Sequence, residues 1–348
     1  MIYVTLCVAA VIAAVGGWML MRLSRFRMFS SAMLAASLSS LFAIAVSSFS
    51  GTILHTYGWT LFVALPVVMG FLAVMIFAGR NPVRMQDAIL VSLLTLIVTG
   101  GGLIFVGIEG LICLAMALPI AAPLAILGGL IAYAMLQRRK TASQAYMTML
   151  ALVVLVPGAS EFERYHARTP PVFAVTTAVD IPAPPYVVWR ATIAPSRLAP
   201  PEDWIFRAGI AYPLAAHIEG SGLTATRYCN FSTGDLVEPV LEWDEPRLLR
   251  FAVKSNPEPM VEMTPYRHIH PPHLQGFLVS RQGQFRLLPA ANGGTRLEAT
   301  TWYQHNLWPA EYWRWWSDYI IHRVHLRVLD HVRATAAPEA VTQLVTVE

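Results

Sequence analysis

Long apolar runs alternate with short polar links over the first 158 residues. Beyond Gly158 the pattern changes to short alternating stretches broken by proline, glycine and asparagine. A helix needs about 20 apolar residues to cross a bilayer. Ile2–Met21, Phe29–Leu54, Thr60–Gly79, Ala88–Gly107, Leu111–Leu136 and Thr141–Pro157 meet or approach that length, the last being the shortest. The pattern therefore predicts about six transmembrane helices over residues 1–158. No basic residue precedes Ile2–Met21 and no clean cleavage site follows it, so it reads as a retained span rather than a signal peptide. Pro119 and Pro123 are expected to bend the fifth helix, which membrane helices tolerate when neighbours satisfy the freed carbonyls.

Residues 159–171 read as a polar linker ending in Pro170–Pro171. Strand-like alternation follows in Phe173–Ile181, Leu223–Phe231, Asp235–Trp243, Leu248–Lys254, Phe277–Leu288 and Thr295–Tyr303, with turn residues at Ser232–Gly234, Asp244–Pro246 and Asn292–Gly294. Tyr186–Ile193 predicts a short helix, Asn256–Pro272 a loop, and Pro309–Ala334 a long helix with Pro309 near its first turn. This order is α+β. Residues 172–336 are one domain on this reading, and 337–348 a tail.

Composition agrees with the membrane reading. Of 348 residues, 55% are hydrophobic and only 13% charged, about half the usual charged share. The basic residues of the first part sit in alternate links: Arg22, Arg25 and Arg27; Arg80 and Arg84; Arg138, Arg139 and Lys140. The links at His55–Trp59 and Ile108–Gly110 have no Lys or Arg. The positive-inside rule then places the N-terminus outside, and with six spans the C-terminal half is extracytoplasmic as well. If Thr141–Pro157 does not cross, that half is cytoplasmic. The net charge of +4 arises in these links and does not point to nucleic acid. The acids and histidine of the membrane part are Asp87, Glu109 and His55, all near predicted helix ends, which fits an anchor better than a transport path. Gly100–Gly102 and the small residues of Ser30–Ser50 are expected to let helices pack closely.

Ile181-Pro-Ala-Pro-Pro-Tyr-Val-Val-Trp189 resembles the opening of the START-like, polyketide-cyclase-type (SRPBCC) superfamily, where a strand ends at a proline turn and a helix begins with a Val-Trp pair. Gly283-Gln-Phe-Arg286, Gly294-Thr-Arg-Leu-Glu298, Thr301-Trp-Tyr303 and Tyr312–Arg333 resemble its later strands and closing helix. The resemblance spans roughly Phe173–Ala334. It implies a helix-grip fold, an antiparallel sheet wrapped around a long C-terminal helix beside a hydrophobic pocket. Such proteins bind lipids, sterols, polyketides or hormones, and some are cyclases. No universal catalytic residue carries over.

Candidate chemistry lies in the second half. Arg227 falls in strand phase with Leu223, Ala225, Cys229 and Phe231, and a tight turn at Ser232–Gly234 would bring Glu238 opposite it. The pair reads either as a structural ion pair or as one that orients a polar ligand group. His268, His270 and His273 cluster around Pro271–Pro272 and read as a loop bordering the pocket. Imidazole also suits a metal, but no nearby Cys or acid completes a recognised pattern, so no metal is assigned. His322 follows Asp318 by four residues on the terminal helix, a spacing that permits a hydrogen bond and a weak general-base candidate. Tyr303 and Glu298 are further pocket candidates. Two apolar stripes mark the same helix, one through Trp313, Trp316, Ile320, Val324 and Val328, the other through Trp315, Tyr319, Leu326 and Leu329. The excess over one sheet face suits burial on two sides or contact with a bilayer interface.

No phosphate loop, dinucleotide glycine fingerprint, nucleophile elbow or basic aromatic patch is present. The expectation is an integral membrane protein with a START-like domain that binds a hydrophobic small molecule or lipid, with the bilayer as partner, no nucleic acid and no cofactor. The alternatives are a cyclase, dehydratase or hydrolase using the same pocket, and a regulatory protein with a partner-binding domain.

Overall fold

The computed structural model describes residues 26–138, 142–166, 169–193, 197–266, 269–290 and 293–336. The expected first span Ile2–Met21 lies outside these residues, as do Arg22, Arg25, Arg139, Lys140, His268 and the tail. The chain divides into two compact units, Met1–Arg168 with Glu262–His273, and Thr169–Val261 with Leu274–Glu348.

The first unit is helical: α1 (Phe26–Ser48), α2 (Leu65–Ala78), α3 (Met85–Val106), α4 (Leu111–Gln137) and α5 (Ala142–Tyr165). A π-helical turn, Phe49–Ile53, extends α1, and another, Thr60–Ala64, leads into α2. Among the described residues, five helices are long and apolar enough to cross a membrane: Met28–Ile53, Thr60–Ala78, Met85–Val106, Leu111–Gln137 and Tyr146–Tyr165. α2 is the most enclosed, burying Phe71, Leu72, Val74 and Phe77 against Ala32, Ala35, Ala36 and Ala43 of α1 and Val91 of α3. The small residues of α1 thus do what their size predicts. A polar relay joins α1 and α3 inside the bundle: Thr99 Oγ1 donates to Ser40 Oγ (2.9 Å), which donates to the Thr95 carbonyl (3.2 Å). Asp87 is a helix cap, its Oδ2 accepting the Arg84 N–H at 3.0 Å.

Of the glycines at 100–102, Gly102 packs closely, a Cβ there lying 2.5 Å from Ile44 Cδ1 of α1, but the closest backbone approaches are elsewhere. A Cβ on Gly101 would meet nothing within 4 Å, whereas one on Gly70 would lie 2.0 Å from the Ala125 carbonyl oxygen, and one on Gly128 1.8 Å from that of Val67. α2 and α4 therefore touch backbone to backbone. Gly128→Val is expected to lower the melting temperature of the detergent-solubilised protein through an overpacking cost of about 1–3 kcal/mol. Gly101→Val is the control, expected to leave it unchanged.

Residues 159–165, expected in the linker, are helical. α5 continues through Pro157 and Gly158 to Tyr165. Its polar end is held by neighbours: Ser50 Oγ donates to Ser160 Oγ at 2.9 Å, and Glu163 Oε1 accepts the Thr60 N–H at 2.9 Å. These partners compensate for residues that in sequence look like a helix stop.

The second unit contains β1 (Val172–Ile181), α6 (Pro185–Ile193), α7 (Trp204–Ala208), β2 (Pro213–Glu219), β3 (Thr226–Phe231), β4 (Gly234–Asp244), β5 (Leu248–Ala252), β6 (Leu278–Pro289), β7 (Thr295–His305) and α8 (Ala310–Thr335). The seven strands form one antiparallel sheet in the order β1-β7-β6-β5-β4-β3-β2. Bulges interrupt the register of β2, β4 and β6, which increases local twist. The sheet curls enough that α8 meets both of its edges, β1 and β2. Arg327 fixes the β2 side by donating from Nε to the Pro213 carbonyl at 3.1 Å. This is the α+β helix-grip arrangement that the pattern and the resemblance implied. Its core gathers Val188 and Trp189 of α6, both fully buried, with Leu249, Phe285, Leu297, Leu329 and Val332.

β2 and α7 were not legible as elements. Pro213-Leu-Ala-Ala-His-Ile-Glu219 has weak β propensity and opens with a proline, which suits an edge strand. β3 is shorter than expected, because a 3-10 turn occupies Gly222–Thr224. That turn rotates Leu223 outward, 68% exposed, so it does not share the face of Arg227.

Candidate functional site

A cavity of about 170 Å³ lies in the second unit between the sheet and α8. β3 and β4 contribute Arg227, Cys229, Phe231, Leu236 and Glu238; β5 and β6 contribute Phe251, Ser280, Gln282 and Gly283; α8 contributes Ile320, Ile321, Val324, His325 and Val328. Asn256–Pro259 closes one side. Asn256 docks that loop as a strand would, its Oδ1 accepting the Ser280 N–H (2.8 Å) and its Nδ2 donating to the Ser280 carbonyl (3.2 Å). Thr233 Oγ1 holds the loop again through the Glu258 carbonyl at 2.7 Å.

Arg227 and Glu238 are directly opposite in the β3–β4 ladder, as the turn at Ser232–Gly234 predicts. They form a salt bridge with both side chains at most 5% exposed. The Arg227 guanidinium also lies 5.2 and 5.5 Å from the ring centroids of Phe251 and Phe285, within cation–π range. Burial opposes the Arg227 charge, but the adjacent Glu238 carboxylate prevails and keeps the guanidinium above its ordinary value. Burial pushes the Glu238 carboxyl up, with Arg227 opposing. Arg227 Nε has no hydrogen-bond partner among the described residues, leaving a donor beside the cavity.

His325 is a wall residue that sequence reasoning passed over. Its Nε2 lies 2.8 Å from Thr301 Oγ1 and its Nδ1 3.2 Å from Thr177 Oγ1. Burial, then the charge of nearby His322, push it down to about 4, so it is neutral at physiological pH. The signal was present: Ile321, His325 and Val328 share one helix face, adjacent to the stripe through Val324.

Several expected site residues lie elsewhere. Tyr303 is fully buried outside the cavity, packed on Phe173 and donating its phenolic hydrogen to Asp318 Oδ1 at 2.5 Å. Asp318 also accepts from Arg314 Nε at 3.2 Å, while His322 Nδ1 lies 2.8 Å from Thr177 Oγ1. Asp318 and His322 are therefore turned to different partners and form no catalytic pair. Glu298 alternates to the face opposite Leu297 and Ala299 and meets Arg296 Nε at 3.6 Å. Neither His270 nor His273 is among the residues that line the cavity. On α8, Trp313 is buried and Trp315 is 62% exposed, so the second stripe is covered only towards its C-terminal end, at Leu329.

No family model matches the chain, and no curated protein matches it. Solved structures similar to it are helix-grip proteins that cover about half of it. A Nitrosospira multiformis protein is 16% identical over 48% of this chain and 99% of its own, with a TM-score of 0.28. A norcoclaurine synthase point mutant from Thalictrum flavum, in complex with a transition-state analogue, is 10% identical over 49% and 96%, with a TM-score of 0.31. An aromatase/cyclase from Streptomyces sp. R1128 is 14% identical over 48% and 94%, with a TM-score of 0.30.

Proposed function

We propose that this chain is an integral membrane protein whose second unit binds a compact hydrophobic molecule carrying one polar group. The carrying observation is the α8-side cavity, apolar over most of its wall with a buried Arg227–Glu238 pair at one side. Few polar groups in an apolar wall is the usual chemistry of a small-molecule site. Size narrows the class. An apolar cavity of about 150 Å³ accommodates benzene, so about 170 Å³ suits a small aromatic or the end of an acyl chain rather than a whole sterol. A binding role is favoured over a cyclase role because His325, the histidine on the wall, is held near 4, too low for a general base at neutral pH.

The membrane reading rests on the five apolar helices, whose outward faces carry Leu41, Phe105, Val154 and Leu155. Counting Ile2–Met21 as a sixth span, we put the second unit outside the cytoplasm, and the arginine-bearing links support this through the positive-inside rule.

Native mass spectrometry of the detergent-purified protein tests the site. A co-purifying apolar ligand is expected on the wild type and not on Val324→Trp, which fills the cavity. Leu241→Trp, at an exposed position, should retain it. Wild-type protein that is empty in repeated preparations, or a ligand that survives Val324→Trp, overturns the proposal.

A further inference from the structure

A second cluster of reactive side chains lies in the first unit. Glu109 is in the link between α3 and α4, Cys113 is in the first turn of α4, and His273 ends the segment Glu262–His273. One carboxylate oxygen, the thiol sulfur and one imidazole nitrogen from these residues all lie within 4.8 Å of one another. Cys113 Sγ is 2.7 Å from His273 Nε2, and His273 Nδ1 is 3.5 Å from Glu109 Oε1. His273 is only 9% exposed, and its Nδ1 has no hydrogen-bond partner.

The surroundings are arranged around this trio. The Tyr57 hydroxyl donates to Glu109 Oε1 at 3.3 Å, and its ring lies 5.0 Å from that of His273. Glu262, itself buried, accepts the Ile112 and Cys113 N–H groups, each at 3.1 Å. The Leu111 N–H donates to the Met263 carbonyl at 3.0 Å. Two carboxylates therefore converge on one thiol and one imidazole. Among the described residues no Lys or Arg pairs with Glu109 or Glu262. Buried carboxylates ordinarily pair with a cation or coordinate a metal.

A thiol, an imidazole and a carboxylate in this order would also suit a nucleophile with its base and orienting acid. That chemistry needs free N–H donors to stabilise an oxyanion. Here the first amides of α4 beside Cys113 are already taken by Glu262 and Met263. A mixed sulfur, nitrogen and oxygen donor set instead matches a borderline-soft cation of the zinc type, with three protein ligands and a fourth position for water.

We propose that Glu109, Cys113 and His273 form a transition-metal site of the zinc class, which fastens the segment Glu262–His273 to the α3–α4 link. Glu262 is a positioning residue that fixes the first turn of α4 and hence Cys113. Tyr57 is a positioning residue for Glu109.

The test uses the full chain purified in detergent, stripped with a chelator and titrated with Zn2+ or Co2+. About one Zn2+ per chain is expected, and Co2+ should give a thiolate-to-cobalt charge-transfer band. Cys113→Ser, His273→Asn and Glu109→Gln should each weaken binding at least about 100-fold, and Tyr57→Phe by about 10-fold. His270→Gln should leave it unchanged. Alkylation of Cys113 in the wild-type protein, followed by mass spectrometry, gives a readout that does not depend on variants folding: Zn2+ should protect this thiol. The proposal is overturned if Zn2+ does not protect Cys113, if the cobalt complex lacks the thiolate band, or if folded Cys113→Ser and His273→Asn proteins bind as the wild type does. None of these readouts depends on a ligand in the second unit.

Discussion

Arg227→Met is expected to cost the second unit about 3–5 kcal/mol, because it leaves the Glu238 carboxylate buried without its partner. Glu238→Leu should cost a similar amount by stranding the guanidinium between Phe251 and Phe285. The double variant Arg227→Met/Glu238→Leu should recover most of the loss, since replacing a buried ion pair by apolar residues of similar volume is often neutral or stabilising. Thermal unfolding of the four proteins in detergent gives the cycle. Single-variant costs that add in the double variant would show that the two residues do not act as a pair. The double variant also separates the two roles left open by the sequence. With stability restored, a weakened affinity for the co-purifying ligand assigns the pair to ligand orientation. Unchanged affinity assigns it to structure.

The second large effect concerns pH. A histidine in the unfolded chain titrates near 6.5, whereas in the folded protein His325 is pushed down to about 4 by burial and by His322. The folded state therefore binds fewer protons between these values. The stabilisation is fully present above pH 6.5 and is lost as pH falls towards 4, by up to about 3 kcal/mol. His305 is lowered by burial in the same direction and adds to the slope. Unfolding temperatures measured from pH 7.5 to 4 should fall in the wild type and fall less steeply in His325→Gln. An unchanged slope in that variant would remove His325 as the cause.

The likeness between sequence and structure is closest where the physics is local. Apolar runs long enough to cross a bilayer became the described helices, and the Pro-Pro turn before Val188 and Trp189 became the start of α6. The Ser232–Gly234 turn fixed the register that sets Arg227 against Glu238. Sequence and structure part where a neighbour distant in sequence decides the outcome. Residues 159–165 looked like a linker, but Ser50 and Thr60 hold them as the end of α5. His322 and Asp318 have the spacing of a helix pair, yet Thr177 and Tyr303 draw them to separate partners. Gly70 and Gly128 carry the helix crossing because each faces a carbonyl of the other helix, and nothing local in the sequence pairs the two positions.

By itself the sequence determined most of the element types, the two-part division of character and the facing of Arg227 and Glu238, since periodicity and turn chemistry act over a few residues. Only the tertiary structure decided which side chains share a cavity and which histidine faces it. It also decided that His273, which has no cysteine or acid near it in sequence, meets Cys113 from 160 positions away and Glu109 beside it. Such a meeting is set by how helices and loops pack in three dimensions, and residue spacing along the chain carries no record of it.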